Sequence, residues 1–126
     1  MAAFEGFSAA HGQTQISNER RAGKQKAKSF IVRKPLTIEL IEGHINGSHG
    51  VGSIPINEDN SCRWGCIDID EYNFDHTALI NKLKNLKLPL VVCRSKSGGA
   101  HVFLFTNDFI PAKDMQDVLT RLSVGL

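Results

Sequence analysis

Cys62-Arg63-Trp64-Gly65-Cys66-Ile67-Asp68-Ile69-Asp70 is the stretch on which the fold turns. Its aromatic and β-branched residues predict a strand over 62–70, and alternation puts Asp68 and Asp70 on one face with Ile67 and Ile69 on the other. The isoleucines can anchor the strand in a core while the two carboxylates converge on a hard divalent cation. Magnesium and manganese prefer oxygen ligands, and a two-metal site needs carboxylates that can bridge ions about 3.5–4 Å apart. A plain polar strand exit gives the same Asp-x-Asp pattern. Glu71, Tyr72, Phe74 and Asp75 come next without an Asp-Gly turn, and clustered like charges without a cation are costly. Glu71 is expected to face solvent, away from the pair.

Downstream, Leu79, Ile80, Leu83 and Leu86 recur at helical spacing between Asn73 and Lys87, with lysines opposite, and Pro89 helps to stop that helix. Leu90–Arg94 and His101–Thr106 predict two short strands joined as a hairpin. Pro111 suits the first turn of a last helix carrying Met115, Val118, Leu119 and Leu122 at i, i+3, i+4 and i+7. Strand, helix, strand, strand, helix is a split βαββαβ unit without its last strand, an α+β arrangement of the RRM or ferredoxin-like kind. Either another segment fills the vacant place or the chain is a fragment, and the fragment is the expectation.

The connection Arg94-Ser95-Lys96-Ser97-Gly98-Gly99-Ala100-His101 combines two cations, two hydroxyls, two glycines and a histidine. Glycines let backbone N–H groups approach an anion, hydroxyls and lysine add donors, and His101 opens the next strand where it can reach a phosphate. These are the ingredients of a triphosphate cradle. No lysine-serine pair continues from the glycines into a helix, so the segment is not a Walker A loop. An ordinary hairpin loop, with His101 packed beside Phe103 and Phe105, is the alternative.

Upstream, Pro35-Leu36-Thr37 opens a helix with Thr37 as its cap and Leu40, Ile41 and Ile45 on one face, ending near Gly43 and Gly47. Val51–Ile56 predicts a strand, and Asn57-Glu58-Asp59-Asn60 is turn chemistry that would join it to the acidic strand as a hairpin. From Gln13 to Lys34 the chain is polar and basic, carrying Arg20, Arg21, Lys24, Lys26, Lys28, Arg33 and Lys34. It predicts a flexible segment over 1–34, either a solvated tail or an arm that gains affinity for nucleic acid by releasing counterions, ahead of a partial domain over 35–126.

The 126 residues suit one domain able to bury a core, and the formal charge of +2 says little by itself. No apolar run approaches the roughly 20 residues of a membrane span, and the N-terminus lacks the pattern of a secretory signal. A cytoplasmic location is expected. Cys62, Cys66 and Cys93 make an odd set in apolar surroundings, so disulfides are not expected. With His44 and His49 the first two could suggest zinc, but they lack CxxC spacing, and core packing is the better account.

Taken together, the sequence resembles the archaeo-eukaryotic primase superfamily, particularly primase domains of TOTE conflict systems and related phage or mobile-element proteins. The superfamily's first motif resembles Ile67-Asp68-Ile69-Asp70, and its second, a serine-x-histidine type, resembles Ser95 to His101. Ile41–Gly47, Gly50–Ile56 and Cys62 add to the likeness, which runs over 36–126. The resemblance implies a DNA primase or polymerase-type nucleotidyltransferase, using Mg2+ or Mn2+ held by Asp68 and Asp70. His101 would be catalytic with them. Nucleotide phosphates would be bound by His101, Ser95, Lys96, Ser97, Gly98 and Gly99, with Arg94 nearby. Nucleoside triphosphates, a DNA template or primer, and a helicase or nuclease of the same system are the implied partners. The family's third, acidic motif has no counterpart, which agrees with the expectation of a truncated, inactive domain. A non-catalytic nucleotide- or nucleic-acid-binding module and a metal-dependent nuclease or phosphodiesterase remain as alternatives.

Overall fold

The computed structural model describes residues 2–21 and 24–126, with side chains described for residues 3–15 and 27–126. It divides into two compact units, one spanning Phe4–Asp59 and one built on Asn60–Leu126.

The Asn60–Leu126 unit contains the split element order read from the sequence. Strand β4 (Ser61–Ile69) leads to α2 (His76–Asn85), then β5 (Leu90–Arg94), β6 (Ala100–Pro111) and α3 (Ala112–Val124). The sheet order is β4-β6-β5 and both pairings with β6 are antiparallel, so β4 and β5 run parallel with β6 between them. That insertion is what splits the βαβ unit, as in ferredoxin-like folds.

Alternation sorts the sheet into two faces. Gly65, Ile67 and Ile69 of β4 pair with Leu104, Val102 and Ala100 of β6, and Leu90 and Val92 of β5 complete this side. Leu79 and Leu83 of α2 cover it, forming a buried cluster with Ala100 and Val102, against which Ile67, Ile69, Phe74 and Leu126 pack. Asp75 caps α2 by accepting from the Ala78 N–H at 2.9 Å. Helix α3 lies over the same side. A Cβ on Gly65 would stand 2.6 Å from Leu119 Cδ1 and 3.0 Å from Met115, so the absence of a side chain lets α3 approach the strand. Pro111 ends β6 and stands at the N-cap of α3 instead of inside its first turn.

The Phe4–Asp59 unit holds β1 (His11–Arg21), β2 (Lys24–Val32), α1 (Ile38–Ile45) and β3 (Gly50–Gly52), in sheet order β2-β1-β3. Within the basic segment expected to be flexible, β1 and β2 pair as a β-hairpin. Its pairs run from His11↔Val32 to Arg21↔Lys24 with an irregularity between Ile16 and Arg20. Its sequence carries no regular alternation of apolar and polar residues, which is why a hydrophobicity pattern does not reveal it. The side chains of Arg20, Arg21, Lys24 and Lys26 lie outside the described residues, whereas Lys28, Arg33 and Lys34 are exposed.

The strand expected over Val51–Ile56 shrinks to Gly50–Gly52, and the expected hairpin with the acidic strand does not form. Gly52, Val51 and Gly50 pair instead with Gly12, Gln13 and Thr14 of β1. Pro55 has no N–H to extend a ladder. Asn57 Oδ1 still accepts from the Asp59 N–H at 3.0 Å, so the turn chemistry is present, but the chain leaves it as the lead-in to β4.

A polar side chain is buried at the start of β1. His11 is 1% exposed, and its Nδ1 lies 2.7 Å from the Lys34 carbonyl. A carbonyl can only accept, so Nδ1 carries the proton and Nε2 accepts from Gln13 Nε2 at 3.2 Å. Both ring nitrogens are thereby satisfied. Helix α1 begins as expected, with Thr37 Oγ1 accepting from the Leu40 N–H at 3.3 Å. Gly43 continues the helix instead of ending it. A Cβ there would overlap the His49 ring, whose Nε2 lies 3.0 Å from the Leu40 carbonyl.

Candidate functional site

Asp68 sits near the end of β4 on the face turned away from α2 and α3, directly opposite His101 of β6, which is in turn opposite Cys93 of β5. The three form one row across the sheet. Asp68 Oδ1 and His101 Nε2 are 3.5 Å apart, with the Asp68 side chain 71% exposed and that of His101 45%. A contact this long and this wet is weak, so both groups stay accessible to a ligand.

Toward the middle of the same face, Cys66, Phe103 and Val91 make the next row, with Trp64 and Phe105 beyond it. His101 meets Phe103 edge-on at 6.1 Å and 77°, and Phe103 stacks on Phe105 at 5.9 Å and 23°. Trp64 joins at 6.1 Å from Phe103. The imidazole thus ends an aromatic column that orients it, so the packed and the ligand-contacting accounts of His101 are compatible. Burial, with a smaller contribution from the Asp68 charge, pushes the Cys66 thiol up, against the opposing effect of a backbone hydrogen bond from Val102.

The segment from Ser95 to Gly99 is a tight hairpin connection. The Gly98 N–H donates to the Ser95 carbonyl at 3.1 Å, the Ser95 N–H donates to the Gly99 carbonyl at 3.1 Å, and Gly98 takes φ +93°. A turn closed by a left-handed glycine is a common three-residue hairpin loop. Two backbone N–H groups that a phosphate cradle could have used are engaged within the turn. The Ser95 and Ser97 hydroxyls, 3.2 Å apart, and the exposed Lys96 remain at its surface.

Gly99 is buried, and a Cβ there would overlap the Ile69 carbonyl. Its lack of a side chain serves the approach of two backbones. Arg94 pairs with Ala100 and so alternates to the helix side of the sheet, opposite His101. Asp70 is exposed one residue beyond β4.

Among the described residues, no three His, Cys, Asp or Glu side chains are gathered closely enough to hold a metal ion. The donor chemistry nevertheless suits magnesium or manganese. Magnesium is commonly held by one or two carboxylates, the rest of its shell coming from water and substrate phosphates. Two exposed carboxylates at a strand end match that pattern; a structural zinc site would need a closed set of four ligands.

Two residues at this end of the sheet carry no sequence signal. Cys93 reaches the row only through strand register. His76, the first residue of α2, places Nε2 2.7 Å from the Gly99 carbonyl, a contact across 23 residues.

Fold and site together define a class: an α+β domain on a ferredoxin-like split unit, with a carboxylate-histidine pair beside a serine-glycine turn. The family model described as the archaeo-eukaryotic primase domain of TOTE conflict systems matches residues 3–124, and the chain belongs to that family. No individually curated protein matches the chain. Among the described residues, no helix is long and apolar enough to cross a membrane.

Proposed function

We propose that this domain handles nucleoside triphosphates for primer synthesis or extension on DNA, with the chemistry centred on the Asp68–His101 row. Family membership supports the primase-type reading. The observation that carries the site is the cross-strand pairing of Asp68 with His101, with the Ser95–Gly99 turn at the same end of the sheet. Such a reaction joins a 3′-hydroxyl to the α-phosphate of a bound triphosphate and releases pyrophosphate.

Asp68 and Asp70 would hold the divalent cation, which when bound neutralises charge on the phosphates. His101 Nε2, 3.5 Å from Asp68 Oδ1, could donate to a phosphate oxygen at this end of the sheet, with the ring edge-on to Phe103. Ser97, Ser95 and Lys96 add two hydroxyls and one positive charge. Arg94, on the other side of β5, is assigned no phosphate contact. The β1–β2 hairpin, with its concentration of lysine and arginine, is the proposed nucleic-acid contact of the smaller unit. Binding there would weaken with salt as condensed counterions are released.

The edge of β4 not paired with β6 is where the fourth strand of a split unit would add. A strand added at that edge would lie beside Asp68.

The test combines Mn2+-dependent triphosphate binding with a primer-extension assay. Saturable binding that Asp68→Ala weakens at least about 100-fold, with little change in stability, supports the site. Primer extension abolished by Asp68→Ala would establish catalysis at this site. Shortening of labelled DNA with manganese would favour a nuclease instead, and no binding under any condition would remove the triphosphate reading.

A further inference from the structure

His76 is remote in sequence from the serine-glycine turn and belongs to neither motif, yet the turn is fastened to it. Asp75 fixes the first turn of α2, and the His76 ring sits half-buried and edge-on to Phe74 at 5.2 Å and 88°. Phe74 itself packs against the core of Leu79, Leu83, Ala100 and Val102. The backbone of His76 is therefore set by the capped start of α2 and its ring by a phenylalanine packed on the core.

From that seat Nε2 lies 2.7 Å from the Gly99 carbonyl, which can only accept, so Nε2 is the protonated nitrogen. The same carbonyl receives the Ser95 N–H at 3.1 Å. Gly99 also lies flat against the Ile69 carbonyl, at the last residue of β4 before Asp70. One carbonyl thus joins the start of α2 to the closing bond of the turn, at the strand end that carries the carboxylates. Gly98 and Gly99 have the freest backbone in the hairpin, and without an outside donor they would let Ser95 and Ser97 shift relative to Asp68.

We propose that His76 is a positioning residue: its Nε2–H, by holding the Gly99 carbonyl, sets the spacing between the Ser95–Ser97 hydroxyl pair and Asp68, and so controls triphosphate affinity. The proposal rests on the triphosphate reading of this site for its consequence, and on the hydrogen bond alone for its mechanism. His76 itself contacts no substrate.

Three variants separate the hydrogen bond from packing. His76→Ala removes ring and donor, His76→Phe keeps an aromatic ring against Phe74 without the donor, and His76→Gln returns a side-chain N–H. The full chain with MnCl2 is titrated with a fluorescent N-methylanthraniloyl derivative of ATP, with thermal unfolding in parallel. Amide exchange at Ser95 and Gly98 is tracked by NMR. His76→Ala and His76→Phe are expected to weaken binding about tenfold and to speed exchange at both amides. His76→Gln is expected to bind within about threefold of the parent. Parent-like binding and exchange in His76→Phe would overturn the proposal, as would His76→Gln being as impaired as His76→Ala. If the parent protein itself binds no triphosphate, the reading of the site fails. The exchange arm then still decides the positioning role, faster exchange in His76→Phe upholding it and unchanged exchange overturning it.

Discussion

The two units each contain a three-stranded antiparallel sheet, but they are held together by different physics. In the Asn60–Leu126 unit, one sheet face is covered by α2 and α3, with Leu79, Leu83, Ala100, Val102 and Met115 buried. In the Phe4–Asp59 unit the buried residues are Ala10 and His11 among the described side chains, and α1 buries none of its residues. Among the described side chains, one sheet is covered by apolar packing, whereas the other buries an imidazole with both nitrogens satisfied. Hydrophobic burial is non-directional and large, whereas a polar centre depends on each partner being in place. The unit with the apolar core is accordingly the one that carries the carboxylate-histidine row, whose alignment needs a stiff sheet.

The contrast is most exposed to a cavity in the larger core. Leu83→Ala should cost about 2–5 kcal/mol in urea unfolding, while Ile45→Ala, at a 76% exposed position on α1, should change stability by no more than about 0.5 kcal/mol. Comparable losses at the two positions would erase the distinction. A sharper probe of the polar centre is His11→Ala, which strips the Lys34 carbonyl and Gln13 of their partner; about 1–3 kcal/mol is expected. Its effect on amide exchange should be concentrated in β1 and β3. If His11→Leu were as stable as the parent, the imidazole would be acting as bulk alone.

The smallest effect concerns the two faces of the larger sheet and is read by alkylation rather than by stability. Cys93 is exposed, whereas burial raises the thiol pKa of both Cys62 and Cys66, leaving less thiolate at a given pH. Iodoacetamide near neutral pH should modify Cys93 first, and the two slower sites should gain reactivity only as pH rises further. Mass mapping of the peptides checks the order. Cys66 labelled ahead of Cys93 would contradict the arrangement of that face.

Much of the larger unit is legible in the sequence because its signals are local. The alternation around Asp68, the helical spacing of Leu79 and Leu83, and the Val- and Phe-rich strands flanking two glycines each report a pattern within a few residues. The β1–β2 hairpin gives no such report. Its sequence is mostly polar, with Phe30, Ile31 and Val32 together only at the end of β2, so a charge run and a backbone-paired strand look alike. The partner of Gly50–Gly52 is equally hidden. Turn residues at 57–60 suggest a hairpin between this strand and β4, yet the strand pairs with β1 far upstream. Gly98 and Gly99 are visible as glycines, but their separate duties, a left-handed turn and a close approach to Ile69, are not.

The sequence by itself determined the order of elements in the split unit and the placing of Asp68 on the side of β4 away from Ile67 and Ile69, because side-chain periodicity arises from backbone geometry. Only the tertiary structure decided that Asp68 faces His101, that Cys93 completes the row, that Arg94 turns to the other side, and that His76 holds the turn. Those facts depend on register between strands and on a helix docking across 23 residues, and no local pattern encodes which distant residue will arrive opposite another.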